Sequence, residues 1–250
     1  MPSAIQHDLE LREKGLTTIL VESQGATPDA LARFLWQQFP TNECLSCVNV
    51  WLPLPRTGGL PNASLVSVDG TLLWSGNPLR DAAKLDELIA EQLQLVRKGW
   101  GASADAKKAR AQLYGRNKLD AAQAIVRGMA DGEEKAALQA EIDRRFELAK
   151  KRIAQLQERG HWQQAFGLAK ELKASAGRSA AWATDIATLM ATFESVQGKA
   201  ELAAAKKLAR IVKTMRKGKL AKVSKQLRKL VAKHGDTKVG ARAERMLSAF

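Results

Sequence analysis

The sequence predicts two domains of different class: a small, incomplete α/β domain in residues 1–98 and an all-helical domain in residues 103–250. Charge divides the chain at the same place. Residues 1–100 contain 8 Lys and Arg against 11 Asp and Glu, whereas residues 101–250 contain 32 against 15. A strand–turn–strand pattern is typical of the first part, and regularly spaced glycines are typical of the second. With 250 residues the chain is long enough for two hydrophobic cores.

A β-hairpin is the strongest local prediction in the first domain. Residues 63–68 are apolar and rich in β-forming side chains, and the Asp-Gly pair at 69–70 is a preferred hairpin turn. Residues 71–75 form the second strand, which the Gly-Asn-Pro sequence ends. Residues 81–98 then form an amphipathic helix. Its apolar face contains Leu85, Leu88, Ile89, Leu93 and Val96.

Three further elements precede the hairpin. Residues 2–14 predict a helix that ends at Gly15, and residues 16–22 predict a strand. The Thr-Pro-Asp sequence that starts at Thr27 is a strong helix start, and that helix runs to Phe39. The predicted order is therefore helix, strand, helix, strand, strand, helix.

This order, with Leu60-Pro61 just before the hairpin, resembles the C-terminal half of the thioredoxin fold in TlpA-like thiol-disulfide oxidoreductases. The family has a Gly-(Ile/Leu)-Pro, a strand, an Asp-Gly turn, a strand ending in Trp-x-Gly, and a closing helix; here these read GGLPNASLVSVDGTLLWSG. The resemblance covers about residues 1–98 and is most specific over 58–92. A generic hairpin with a trans proline is the alternative.

The resemblance implies a function for the first domain. In the family the proline is cis and faces the active-site disulfide, so Pro61 would shape the groove where a protein substrate docks. The implied activity is thiol-disulfide exchange through a mixed disulfide, in a bacterial extracytoplasmic space.

The family's Trp-Cys-x-x-Cys sequence is missing from this chain. Met1-Pro2 is similar to the Met-Pro that follows that pair, so the resemblance places the redox cysteines and a central strand upstream of Met1. Without that strand, main-chain groups of its neighbours lie unpaired in the core. We therefore expect either a fragment of a longer protein or a replacement strand, for which residues 48–52 are the spare candidate. If the longer protein has a signal segment upstream of Met1, we expect it outside the cytoplasm of a bacterium. Without such a segment we expect it in the cytoplasm. Whether it is an enzyme stays open, and we expect no activity from this chain alone.

The two cysteines, Cys44 and Cys47, are candidate redox residues because a C-x-x-C spacing permits a reducible disulfide. No helix start is evident beside them, so two ordinary thiols or a local structural disulfide are alternatives. Two cysteines do not complete a zinc site, and the three histidines are scattered. The sequence therefore predicts no metal and no cofactor.

The second domain has an internal repeat of glycines. They occur in three pairs with the same spacing, and in each pair the first glycine follows one predicted helix and the second ends another. Since glycine favours the left-handed position that ends a helix, the pattern predicts stacked helical hairpins. The pairs are Gly115 and Gly132, Gly160 and Gly177, and Gly218 and Gly235. The predicted helices cover 105–114, 118–129, 142–159, 162–174, 202–217 and 220–233.

The hairpins resemble tetratricopeptide (TPR) repeats, because Leu113-Tyr114-Gly115 with Lys118-Leu119 and Ala122 is similar to the TPR turn. The second and third units also match at a constant offset, as between Leu172 and Leu230. The repeat length is irregular, so the prediction is of TPR-like hairpins, with an irregular helical bundle as the alternative.

Residues 201–250 contain 15 basic and 3 acidic side chains. The basic residues recur at helical spacing opposite apolar ones, which is typical of a surface that binds phosphates, an anionic membrane or an acidic partner. No aromatic residue lies among them, so stacking on bases is unsupported. A solvated face without a ligand is the simpler alternative. The candidate residues are Lys206, Arg210, Lys213 and Lys217 on the first helix, and Lys222, Lys225, Lys229 and Lys233 on the second.

Three functions follow from these patterns. The first is a thioredoxin-like protein related to thiol-disulfide oxidoreductases, with a protein substrate. The second is a non-catalytic adaptor whose helical repeats bind a protein partner. The third is polyanion or nucleic-acid binding through the C-terminal helices. No apolar run of about 18 residues predicts a membrane span, and no basic-plus-apolar start predicts a signal peptide.

Overall fold

The computed structural model describes residues 10–22, 24–38, 45–48, 50, 55, 61–215 and 220–248. It is mostly helical, with a small strand portion in two sheets. The strands are β1 (Ile19–Glu22), β2 (Leu45–Val48), β3 (Ala63–Val66) and β4 (Leu72–Gly76). The helices are α1 (Pro28–Gln38), α2 (Ala82–Lys98), α3 (Ala104–Arg110), α4 (Leu119–Gly128), α5 (Glu133–Glu158), α6 (Trp162–Ala176), α7 (Ala183–Glu194), α8 (Val196–Met215), α9 (Leu220–His234) and α10 (Lys238–Leu247).

The chain divides into two compact units. Of the described residues, the first unit contains 10–28 and 45–139, and the second contains 29–38 and 140–248. The division falls within α5, whereas the charge composition changes near residue 100. The predicted domains, residues 1–98 and 103–250, therefore do not coincide with the two compact units, and whether each predicted domain folds independently stays a prediction.

The predicted hairpin is confirmed. Strands β3 and β4 pair antiparallel, with Ser64 opposite Ser75. The turn has the expected chemistry, since Gly70 has a φ of 93° and the Asp69 carboxylate accepts a hydrogen bond from Thr71 N at 3.0 Å. Helix α2 follows as predicted and buries Ile89 and Val96.

A second pair of strands lies in the first unit. Strands β1 and β2 run parallel, with Val21 opposite Cys47. The spare strand expected at 48–52 is therefore displaced, because the observed strand ends at Val48. Pairing with β1 selects the residues that form the strand, and alternation of apolar residues alone does not show that pairing. Residues 51–54 lie outside the described part of the chain.

Helices α3 and α4 continue the first unit beyond α2. A π-helical turn, Ala111–Gly115, follows α3 where the sequence predicted one continuous helix to residue 114. This turn contacts α2, and a Cβ atom at Gly115 would lie 2.8 Å from the main-chain oxygen of Val96. The absence of a side chain at Gly115 therefore lets the helices approach closely.

The second unit contains two groups of three helices, α5–α7 and α8–α10, and the middle helices of the two groups start at matching positions. Helix α6 starts at Trp162 and α9 starts at Leu220, which is the same offset that separates the matched leucines. Those leucines, Leu172 and Leu230, are both buried. Each group has a third helix, α7 or α10, that the glycine pattern did not predict. The TPR-like assignment remains a proposal.

Most of the described repeat glycines lack the left-handed conformation that the sequence predicts, and Gly132 lies in open space between α4 and α5. Of the repeat glycines in the described residues, Gly160 has the left-handed φ, 75°, that we predicted for all of them. At Gly177 and Gly235 a Cβ atom would instead crowd a main-chain oxygen of the preceding turn, at 2.4 Å and 2.9 Å. These positions thus need the small size of glycine more than its conformational freedom. Gly218 lies outside the described residues.

Candidate functional site

The candidate redox residues lie in or beside β2. Cys47 is half-buried and is a free thiol, with its Sγ atom 3.8 Å from Leu20 O in the paired strand. It lies in the strand and not at the start of a helix, where the positive helix end activates thiols in many redox proteins. Cys44 lies outside the described residues. The structure therefore describes one of the two thiols and places it in a strand.

Pro61 is exposed and precedes β3 by two residues. Its place next to the hairpin is the one that the family resemblance expects. Leu60 lies outside the described residues, so the predicted cis peptide bond between them stays a prediction.

The predicted basic surface lies on α8 and α9, two helices that pack against each other. We call it the basic face. The described cations of this face are all exposed, whereas the apolar residues opposite them, such as Leu208 and Leu227, are buried. The stripe pattern read from the sequence is therefore confirmed, although Lys217 lies outside the described residues. The exposed members are Lys206, Arg210, Lys213, Lys222, Lys225, Lys229 and Lys233.

An open groove of about 310 Å³ lies between α8 and α9. Three cations of the basic face border it, and two further basic side chains join them. Nowhere does its described lining include an Asp or Glu. We call it the basic groove, and its lining residues are Lys207, Arg210, Ile211, Gln226, Lys229, Leu230, Lys233 and His234.

Lys207 and His234 are in contact across this groove, with Lys207 Nζ 3.0 Å from His234 Nε2. An ammonium group only donates, so Nε2 accepts and the imidazole is neutral. Desolvation first, and then the charges of Lys207 and Lys233, hold the pKa of His234 below its usual value; Asp236 opposes them. Burial, and after it the two ammonium charges, therefore disfavour one more proton on His234, and a bound anion would relieve the part that is due to charge.

The groove also contains an unsatisfied polar atom. Gln226 Oε1 is buried without a hydrogen-bond partner in the described structure. Exchanging the oxygen and nitrogen of the amide by a flip would present its NH₂ group at this position, which would suit an anion.

Sequence reasoning missed Lys207, Gln226 and His234. Lys207 is next to Lys206 in sequence and therefore lies about 100° around α8 from the predicted stripe. His234 is one of three histidines without ligand spacing, so the sequence pattern gives it no role. The available signal was the series Gln226, Leu230 and His234, which are four residues apart on α9 and so share one face.

Other kinds of site find no support in the described residues. No group of three or more His, Cys, Asp and Glu side chains is placed there to hold a metal ion. None of the described helices is both long enough and apolar enough to cross a bilayer.

Comparison with protein-family models, with curated proteins and with solved structures gives no match for this chain. The two resemblances stated above therefore depend on the residues quoted for them.

Proposed function

We propose that this protein binds duplex nucleic acid through the basic groove and the basic face around it, by contact with backbone phosphates. One feature supports this above others: three exposed cations of the basic face, together with Lys207, border a groove whose described lining has no carboxylate. Lys and Arg side chains that neutralise phosphates release condensed counterions, and this release drives sequence-independent binding.

The dimensions of the basic face suit a duplex. On α9 the cations extend from Lys222 to Lys233, which is about 16 Å along a helix. A duplex carries one charge per ~1.7 Å, so this length faces about ten phosphates on both strands together. Four cations line the groove itself: Lys207, Arg210, Lys229 and Lys233. About four phosphates would therefore be neutralised there.

Two other polyanions fit the face less well. Binding in a membrane interface needs an exposed apolar helix face, but the apolar stripes of α8 and α9, with residues such as Leu208 and Leu227, are buried. Single strands are bound largely by stacking on aromatic side chains, and the eight residues of the groove lining include no Phe, Tyr or Trp. Electrostatic attraction alone favours the polymer with the densest charge, a duplex.

For the first unit we propose a thioredoxin-like scaffold without disulfide reductase activity of its own. The confirmed hairpin and the helix α2 that closes it support this proposal, because they reproduce the order that the TlpA-like resemblance implies. In this view the helical array supplies the binding surface.

The test is equilibrium binding of the full chain to a 30-base-pair duplex of mixed sequence, measured by fluorescence anisotropy at about 50 mM salt. We expect a Kd of about 10⁻⁶ M or tighter. Replacing Arg210, Lys229 and Lys233 together by Gln should weaken binding at least 30-fold, because three of four groove charges are lost.

The matched control removes the same charge from the first unit. Lys84, Lys98 and Lys107 are exposed, and their replacement by Gln should change the Kd less than threefold. Equal weakening by both triple variants would show that net charge alone acts, and stronger binding to anionic vesicles or to a polyglutamate peptide than to the duplex would contradict the proposed ligand.

A further inference from the structure

The turn between α5 and α6 packs against the start of α10. A Cβ atom at Gly160 would lie 2.5 Å from Lys238 O and 3.1 Å from Arg242 Cβ, so the two segments are in direct contact. An ion pair between Lys238 Nζ and Glu158 Oε1, at 2.7 Å, joins them as well. This packing brings basic side chains of the turn next to those of α10.

We call these basic side chains the arginine cluster. Two come from the turn and two from α10, where they are three residues apart and therefore on one face. The members are Arg159, His161, Arg242 and Arg245.

The cluster has no counter-charge among the described residues. Arg242 is half-buried, and its guanidinium makes neither an ion pair nor a hydrogen bond with them. Desolvation, followed by the charge of Arg245, lowers its pKa to about 10. A desolvated cation without a partner is unfavourable, and proteins normally provide an acid or a bound anion beside it.

Two acids beside the start of α10 are already engaged. Glu158 pairs with Lys238 Nζ. Glu201, on α8, accepts hydrogen bonds from Lys238 N at 2.7 Å and Val239 N at 3.1 Å. Both carboxylates hold α10 in place, so neither neutralises the guanidinium of Arg242.

His161 adds a switchable donor to the cluster. Its Nδ1 lies 2.9 Å from Gln164 Oε1, which only accepts hydrogen bonds. Nδ1 therefore carries the proton of the neutral ring, and Nε2 carries none. Desolvation first, and then Arg242, Arg159 and Arg245, lower the pKa of His161 to about 4. An anion beside the ring would reverse the electrostatic part of that shift and let Nε2 take a proton.

Further donors lie beside this turn, in the helices that flank it. His161 precedes the first residue of α6 and makes no side-chain cap, so the first main-chain N–H groups of this 15-residue helix have no cap from it. Gln157 Nε2 and Trp162 Nε1 are buried donors without a partner in the described structure. A helix start of this kind favours a bound phosphate.

We propose that the arginine cluster is a binding site for a phosphate anion, either inorganic phosphate or the terminal phosphate of a monoester. This site is separate from the basic groove and does not depend on the function proposed for it. Arginine suits the ligand because its planar fork donates two parallel hydrogen bonds to phosphate oxygens.

The test follows the ring signals of His161 in the full chain by NMR, titrated with pH at 0 and 10 mM inorganic phosphate. Phosphate should raise the pKa of His161 by at least one unit. The Arg242→Gln variant should weaken phosphate binding about tenfold or more, and Arg245→Gln, on an exposed side chain, about threefold. A comparison of a 5′-phosphorylated with a 5′-hydroxyl duplex then separates the two sources of phosphate.

Two controls isolate the site. Lys222→Gln, on α9, should leave phosphate binding unchanged, as should the triple variant of the basic groove. If Arg242→Gln does not fold, the exposed Arg245→Gln variant still decides. An unchanged pKa of His161 at 10 mM phosphate would overturn the proposal, and so would equal phosphate affinity in the wild type and the Arg245→Gln variant.

Discussion

Replacing Glu201 by Gln should destabilise α10 strongly. The Glu201 side chain is fully buried, and its two oxygens accept hydrogen bonds from Lys238 N and Val239 N, two of the first main-chain N–H groups of α10. Thr237 Oγ1 accepts from Gly240 N at 2.9 Å and caps the same helix end. The carboxylate therefore connects α8 with the start of α10.

The expected magnitude follows from these two hydrogen bonds. Each bond to a charged acceptor contributes about 1.5–3 kcal/mol. Glutamine keeps one acceptor oxygen but places an NH₂ group against a main-chain N–H, so one bond is lost and one buried donor is left unpaired. We expect the local free energy of opening to fall by about 3 kcal/mol.

Hydrogen exchange measured by mass spectrometry on peptides from 238–247 is the suitable assay, because it reports on α10 without assuming that both units unfold together. A loss of about 3 kcal/mol should speed exchange there about 150-fold. The control is Glu244→Gln, at an exposed position on α10, which should change exchange less than threefold. If Glu201→Gln behaves like that control, the buried carboxylate does not hold the helix.

Three more outcomes are expected. Gly160→Ala should lower the free energy of unfolding by about 2–4 kcal/mol, since it adds a clash to an unfavourable left-handed φ. The control Gly128→Ala lies in open space and should raise the free energy of unfolding by about 0.5 kcal/mol. Urea unfolding midpoints measure both changes, and equal effects of the two variants would contradict this reasoning. The pKa of His161 is about 4 in the folded state against 6.5 in the unfolded state, so the unfolded state binds the extra proton. The free energy of unfolding should therefore fall by about 2–3 kcal/mol as the pH drops from 6.5 to 4. His161→Gln should reduce this fall in urea melts, and an unchanged dependence of the free energy of unfolding on pH would refute the prediction. The chain should reduce insulin slowly or not at all, with any residual rate lost on changing Cys44 and Cys47 to Ser; reduction at thioredoxin-like rates would contradict the scaffold proposal.

Local sequence signals predicted the elements that local forces determine. The Asp69-Gly70 turn specified the hairpin because its conformation depends on two residues and their neighbours. The stripes on α8 and α9 followed from helical spacing in the same way. Strand β2 was misplaced, starting at Leu45 and not at Val48, because its limits depend on pairing with β1, which is distant in sequence.

The two candidate sites show the same limit. The cations of the basic face were predicted from spacing, but the groove was not, since contact between Lys207 and His234 depends on how α8 and α9 pack. The arginine cluster joins the turn at Gly160 to Arg242, which lies far along the chain on α10. No periodicity within either segment shows that they meet.

The salt dependence of duplex binding tests the central claim most directly. For four phosphates neutralised at the basic groove, log Kobs should fall with log salt with a slope of about −3.6, so affinity drops about 150-fold between 50 and 200 mM. Replacing Arg210, Lys229 and Lys233 by Gln should bring the slope to about −1, whereas the control triple variant in the first unit should keep the wild-type slope. A wild-type slope near zero, or the same slope in the groove variant, would contradict the account.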